Sequence, residues 1–253
     1  MIAISCPGFC MTPFTAMAEV ISPHFISWEI IAEGRHAMPD IMDELKRCKA
    51  SYNFEFTVHA PFSDLNIASL NPEIRESSIA QITEAIRASS ELDIELVTLH
   101  PGHKSPLGAY FLDEIKEVHK KSLGKIDKVG EEYGVLLALE NIPKMWISLC
   151  SFAEEMCDLI EGTNMKICFD VGHANISDDI NNFLSLKQDF ANLHLHDNQG
   201  RIDKHLILGQ GNIDIKSILN ELKGYKGNIV IESTNLEQGV QSKAILMEML
   251  QDI

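Results

Sequence analysis

Basic side chains are scarce in this 253-residue sequence: 21 lysines and arginines stand against 37 aspartates and glutamates, a formal net charge of −16. A protein that grips a polyanion through its overall field carries the opposite sign. Extensive nucleic-acid binding is therefore disfavoured, except where bound cations reverse the sign inside a cleft. No uninterrupted apolar run reaches the ~18 residues that would span a bilayer. The opening MIAISCPGF has neither a positively charged start nor the length of a secretory core, so the expected address is the cytoplasm. Phosphate-cradling loops are missing as well, since no GxGxxG or Walker pattern opens a helical segment. The six cysteines are irregularly spaced, and Cys6 and Cys10 have no second pair to complete a zinc knuckle. In a cytosolic chain they are expected reduced and mostly buried. No linker, low-complexity tract or composition break divides the chain, which reads as one domain, 1–253.

What is present is a repeated alternation. Eight short runs, apolar and β-branched at their centres, lie at 2–8, 25–34, 54–62, 94–102, 135–143, 165–173, 190–198 and 227–235. This is the pattern of strands buried on both faces. Amphipathic segments separate them, clearest at 39–50, 71–92, 112–134 and 236–251. The segment at 71 begins with Asn71 as a cap and Pro72 in the first turn. Strict strand–helix alternation demands a parallel α/β sheet. Eight such units in a chain near the ~250 residues typical of the fold close best as an eight-stranded (β/α)8 TIM barrel. An open doubly wound sheet is the other arrangement, but it lacks its glycine-rich loop here.

The strand ends share one chemistry. The third run ends in His59, the fourth in His100 and the fifth in Glu140. The sixth gives Asp170 and His173, the seventh His194, His196 and Asp197, and the eighth Glu232, with Asp203 and His205 just beyond the seventh. Of the histidines outside this rim, His24, His36 and His119 fall in loops or helices. A single histidine after an apolar run is an ordinary structural residue; here the number and the shared topology carry the inference. In a barrel these positions converge on the C-terminal rim, where active sites of this fold are built. Mixed imidazole and carboxylate donors suit Zn2+, Mn2+, Fe2+ or Co2+ better than Ca2+ or Mg2+. One ion needs three or four ligands and the set is more than twice that size, so a cluster of two or three ions is expected.

These residues resemble the xylose isomerase-like TIM barrels, the superfamily that also contains endonuclease IV (AP endonuclease family 2). The nuclease pattern has nine metal ligands, and each has a counterpart: His59 in TVHAPFSDLN, His100 in LHPGH, Glu140 in ALEN, Asp170 and His173 in FDVGH, His194 in LHLHDN, Asp203 and His205 in DKHLILGQGNID, and Glu232 in VIEST. The resemblance implies up to three divalent ions, Zn2+ first and Mn2+ second. One would sit on His59, His100 and Glu140, a second among Glu140, Asp170, His194 and Glu232, and a third on His173, Asp203 and His205. Sugar isomerases and epimerases of the superfamily need only the four-residue middle set. The sequence departs from the nuclease at Phe62, where a DNA-probing tyrosine is usual, and at Gly172, where a cysteine is usual. Its seventh loop is short. HAPFSDLNIAS and HLHDNQG look more like the isomerase/epimerase branch.

Two reactions follow as expectations. The first is phosphoester hydrolysis by a multinuclear centre bridged by Glu140, with Glu232 orienting the attacking water; its partner would be a small phosphorylated substrate or damaged DNA with an abasic site. The alternative is a sugar or sugar-phosphate isomerase or epimerase with one ion, in which Glu140 and Glu232 shuttle a proton through an enediolate. A barrel that binds without turnover is the third possibility, set against the cost of crowding ionisable groups. Arg35, Asn141, His196 and Asn198 are the expected substrate-contacting or ligand-orienting residues, and His196 is also a reserve ligand. Oligomeric state is not encoded legibly.

Overall fold

In the computed structural model, which describes residues 1–251, each of the eight runs is a strand. They are β1 (Ile2–Ser5), β2 (Ser27–Ile31), β3 (Glu55–His59), β4 (Leu96–Leu99), β5 (Leu136–Glu140), β6 (Lys166–Asp170), β7 (Phe190–Leu195) and β8 (Asn228–Glu232). All neighbours pair in parallel and in sequence order, and β8 closes onto β1, with Ser5 opposite Glu232. The architecture is a TIM barrel.

The helices are α1 (Phe14–Ile21), α2 (Met38–Tyr52), α3 (Pro72–Ser90), α4 (Leu112–Tyr133), α5 (Ala153–Ile160), α6 (Val171–Ser177), α7 (Ile180–Leu184), α8 (Ile215–Glu221) and α9 (Leu236–Gln251). The four long ones coincide with the four amphipathic segments. Helices α1 and α5 to α8 are only five to eight residues long. That is too few turns for a helical period to stand out over an 11–18-residue window. Asn71 caps α3 by accepting from the Glu73 N–H at 3.0 Å, and Gly134 ends α4 at φ +69°, a left-handed position that a residue without Cβ takes at no steric cost.

Side chains alternate across each strand, and the two faces are built to different rules. Outward residues such as Trp28, Ile30, Val58, Leu99, Leu139, Phe169 and Leu193 join the continuous core under the helices. Trp28 stacks on Phe14 of α1 at 4.9 Å between ring centroids. Full burial of each such side chain contributes about 1.5–3 kcal/mol. Inward residues line the lumen. Leu96, Ala138 and Cys168 form a small apolar cluster of their own, Glu29, Thr57, Thr98 and Asn192 form a buried polar layer, and the strand-end residues form the mouth.

All eight strands are shorter than the runs that mark them in the sequence, and two of them end in ways that shape the mouth. Chain 190–198 leaves the sheet after Leu195, and 165–173 leaves it at Asp170, where the chain enters α6 without an intervening loop. The Asp170 side chain is itself the helix cap, accepting from the His173 N–H at 2.6 Å.

Candidate metal centre

His59, Glu140, Asp170 and Glu232 are the last residues of β3, β5, β6 and β8; His194 is the penultimate residue of β7, and His100 follows β4 directly. Closure of the barrel turns this common position in the chain into a common position in space. The ligand atoms gather into three sets, each with its members within 4.8 Å of one another: His59, His100 and Glu140; Glu140, Asp170, His194 and Glu232; and His173, His196, Asp203 and His205. All nine residues singled out on the sequence fall in these sets, and Glu140 belongs to two.

Glu140 is the hub. Its Oε2 lies 3.1 Å from Nε2 of His59 and 3.1 Å from Nε2 of His100, while its Oε1 lies 3.1 Å from Nδ1 of His194. Glu232 approaches the same Nδ1 to 3.0 Å from β8. In the third set, Oδ2 of Asp203 is 3.2 Å from Nε2 of His173 and 2.9 Å from Nε2 of His205. Two imidazoles are held from behind. His59 donates its Nδ1–H to the Ala60 carbonyl at 2.8 Å, and His173 donates its own to the Asn141 carbonyl at 2.8 Å. Each ring is thereby turned with its Nε2 toward the cluster, the atom free to ligate once its proton is given up.

These donor sets fit divalent cations. Buried oxygens without a hydrogen-bond partner, Oδ2 of Asp170 and Oδ1 of Asp203, face the cluster among imidazoles. Donor separations of 2.9–3.2 Å approach the ~3.3 Å edge of a tetrahedron whose bonds are ~2.0–2.1 Å.

Electrostatics point the same way. Burial drives the imidazoles of His59, His100, His173, His194 and His205 toward neutrality. For His173 the carboxylates of Asp170, Asp203 and Glu140 overturn that and lift the pKa to about 10. For His205, Asp203 and Glu232 lift it to about 9. His194 is raised well above its usual value against the same burial, with Cys168, Glu29, Glu232 and Glu140 responsible. At His100 burial prevails over Glu140, and the pKa falls. The carboxyls move the other way: despite burial, His194 and His100 hold Glu140 well below the usual range, and His173 and His205 depress Asp203. The cluster is thus an anionic hole that demands positive charge.

The four further residues have different fates. Asn141 and Asn198, expected to contact substrate or orient ligands, are both fully buried with their amides committed to hydrogen bonds within the protein. Asn141 donates to the Asp170 carbonyl at 2.9 Å and accepts from the Asp170 N–H at 2.8 Å, locking β5 to β6 beneath the mouth. Asn198 donates to the Gly172 carbonyl and accepts from Asn175 and from the Gly200 N–H, each at 2.8 Å. Arg35 is exposed on the turn Gly34–His36 and does not line the cavity at the mouth.

His196 is buried in the third set, its Nε2 3.3 Å from Asp170 and 3.4 Å from Asp203. Its ring lies flat on that of His205, 4.0 Å apart and 5° from parallel. His196 thus remains within reach of a cation at the third set, as a reserve ligand would be, with its Nε2 between the two carboxylates. It occupies space that Gly172 leaves: a Cβ on residue 172 would stand 2.0 Å from His196 Cε1. Asp197 serves the backbone, accepting from the N–H groups of Asn198, Gly209 and Gly211 at 2.8–2.9 Å.

Sequence reasoning missed Glu29. It is fully buried in mid-β2, with Oε1 2.9 Å from Nε2 of His194. The signal was an isolated carboxylate inside an otherwise apolar strand, where an uncompensated charge is costly.

Beside the cluster opens a cavity of about 280 Å3, walled by Phe62, Leu65, Ile67, Ile142, Pro143 and Met145 and touching His100, His173 and Asp203. No lysine or arginine lines it. Among the described residues no helix is long and apolar enough to cross a membrane.

Comparison with known proteins agrees with this geometry. Residues 24–251 match the family model described as xylose isomerase-like TIM barrel. An uncharacterized protein of Methanocaldococcus jannaschii is 37% identical over 96% of this chain and 87% of its own length. A crystal structure described as a D-tagatose 3-epimerase-like protein superposes with a TM-score of 0.92 at 35% identity, covering 99% of this chain and 97% of that one. D-psicose 3-epimerase of Ruminiclostridium cellulolyticum is 28% identical over 76% of this chain and 67% of its own length. A probable endonuclease 4 of Aquifex aeolicus is also 28% identical, over 66% of this chain and 64% of its own. The chain belongs to the xylose isomerase-like TIM barrel family.

Proposed function

We propose that this member of the xylose isomerase-like TIM barrel family is a cation-dependent epimerase or isomerase of an unphosphorylated keto sugar, with Glu140 and Glu232 as the proton-transferring pair. One observation carries the reading: carboxylates from β5 and β8 reach the same atom, Nδ1 of His194, at 3.1 and 3.0 Å. Two carboxyl groups thereby flank one point at the mouth, as proton removal and return at one carbon require. The cavity supports it, because apolar walls suit the carbon face of a sugar while no lysine or arginine among its lining residues offers a phosphate a fixed positive charge. The relatives named as epimerases support it too.

When bound among Glu140, Asp170, His194 and Glu232, a divalent cation would polarise the substrate carbonyl and its neighbouring hydroxyl. One glutamate removes the proton from the carbon beside the carbonyl, and the C–H electron pair moves into the conjugated oxygens of an enediolate. The other glutamate, protonated, returns a proton to the opposite face. Configuration inverts with no net oxidation. General acid–base assistance of this kind is worth about 10²–10⁴-fold. The Phe62 ring, 4.5 Å from that of His100 and stacked on it, helps keep water from the reacting carbon.

A second reading, hydrolysis of phosphoesters such as abasic DNA, is favoured by one feature. The two oxygens of Glu140 face different histidines, as in a carboxylate bridging two ions. Protein loaded with Mn2+ or Zn2+ and incubated with a ketose panel in D2O should incorporate deuterium beside the carbonyl, and Glu232→Gln should abolish this. No incorporation by metal-replete wild type across the panel would overturn the proposal. Three ions per chain, together with nicking of an abasic duplex that His173→Ala loses, would establish the hydrolase instead.

A further inference from the structure

The polar layer beneath the mouth is unexpected on physical grounds. TIM-barrel lumens are filled chiefly by branched aliphatic side chains in stacked layers. At the level below the strand ends this barrel instead buries Glu29, Thr57, Thr98 and Asn192, each at most 5% exposed. A carboxylate so placed costs more than an aliphatic residue of similar size unless it has a specific partner.

The partners can be assigned one by one. Oε2 of Glu29 accepts from the Asn192 amide at 2.7 Å, with the Thr57 hydroxyl at 3.4 Å and the Thr98 hydroxyl at 3.5 Å. The Asn192 amide gives its second hydrogen to Thr98 Oγ1 at 2.9 Å. Its nitrogen also lies 3.2 Å from Nε2 of His194, but both hydrogens are already engaged. The one acceptor remaining for Nε2 is Oε1 of Glu29, 2.9 Å away in ion-pair contact but outside hydrogen-bond geometry, and that buried oxygen has no other partner. On the other side of the same ring, Nδ1 faces Glu140 and Glu232.

We propose that Glu29 fixes His194 as its Nε2–H tautomer, so that Nδ1 is the atom presented to a cation held with Glu140, Asp170 and Glu232. Glu29 is a positioning residue: it touches neither substrate nor ion and acts through the imidazole. The inference rests on the reading that this quartet binds a cation. A carboxylate behind a ligating histidine fixes ring orientation and raises ligand basicity, and losing such a partner typically weakens metal affinity 10–100-fold.

Glu29→Gln isolates the effect, because it keeps shape and removes one acceptor. Whichever end of the new amide faces His194, one of its sides meets a donor that it cannot accept. Zinc affinity, read by chelator competition, should fall 10–100-fold, while the thermal midpoint of the chelator-treated variant should be no lower than that of wild type. In histidine-15N-labelled, zinc-loaded wild type, long-range 1H–15N spectra should show His194 protonated at Nε2, with that proton far downfield; the variant should lose this downfield signal. Unchanged affinity in the variant would overturn the proposal. So would a wild-type spectrum with His194 protonated at Nδ1, a measurement that stands even if the variant does not fold. Wild type that binds no zinc at all would instead refute the cation site itself, an outcome separate from any result on Glu29→Gln.

Discussion

Two populations of buried histidine sit within this barrel, and they differ in everything except burial. His36 and His119 lie in the shell outside the strands, where burial pushes each pKa down to about 4. His36 keeps one hydrogen bond, to the Thr12 carbonyl at 2.9 Å, and both ring nitrogens of His119 lack partners. In the mouth, His173 and His205 are also deeply buried, yet carboxylates raise them to about 10 and about 9. The contrast shows that burial alone does not set the charge of a group; the company does. The shell tolerates histidine as a neutral ring, whereas the mouth forces it to be a cation or to face one.

The sharpest way to break this comparison is to supply the cation. Below their raised pKa values His173, His194 and His205 carry protons in the metal-free protein, and a ligand nitrogen must give its proton up. Adding Zn2+ to chelator-treated protein at pH 8 in weak buffer should therefore release on the order of two or more protons per chain. Calorimetry in buffers of different ionisation enthalpy reads this number, and zero release would mean that the rings were never charged.

The shell makes the opposite prediction. The unfolded chain protonates His119 near pH 6.5 while the fold resists until about pH 4. Its contribution to stability is complete above 6.5 and is lost as pH falls toward 4, by about 3 kcal/mol at the rate of ~1.4 kcal/mol per pKa unit. Urea unfolding of His119→Leu should show a correspondingly shallower loss over that window. The metal-free mouth runs in reverse, since groups raised to 9 and 10 stabilise at low pH and stop doing so as pH climbs through those values.

A smaller effect is expected at the seam between helix and mouth. Gly172→Ala puts a methyl group into the His196 ring and should cost about 1–3 kcal/mol of stability by overpacking. It should also lower zinc stoichiometry at the third set, measurable by elemental analysis. A variant of wild-type stability with full metal content would show that His196 is free to move aside.

The barrel and its strand-end residues were legible because both obey local rules. Apolar runs mark strands, and a polar residue closing each run marks the mouth. Glu29 was not, because what defines it is a contact with His194 in the seventh strand, far along the chain. The pairing of Gly172 with His196 was hidden for the same reason. The start of α6 was misread as strand because FDVGH continues an apolar run, while the cap that stops it is the Asp170 side chain, which also belongs to the middle set. Asn141 and Asn198 adjoin site residues in sequence, which left substrate contact and ligand orientation equally open; their hydrogen bonds run into the protein, those of Asn141 to Asp170 and His173.

The Asp197 carboxylate, which takes up N–H groups from Asn198, Gly209 and Gly211, fastens both ends of the excursion that carries Asp203 and His205. Mechanically that excursion is a closed hoop hung on the barrel's lip, not a span stretched between staves. Its circumference is independent of the barrel's girth, so kindred barrels are at liberty to enlarge or trim it, trying new tenants at the doorway, without disturbing the timber underneath.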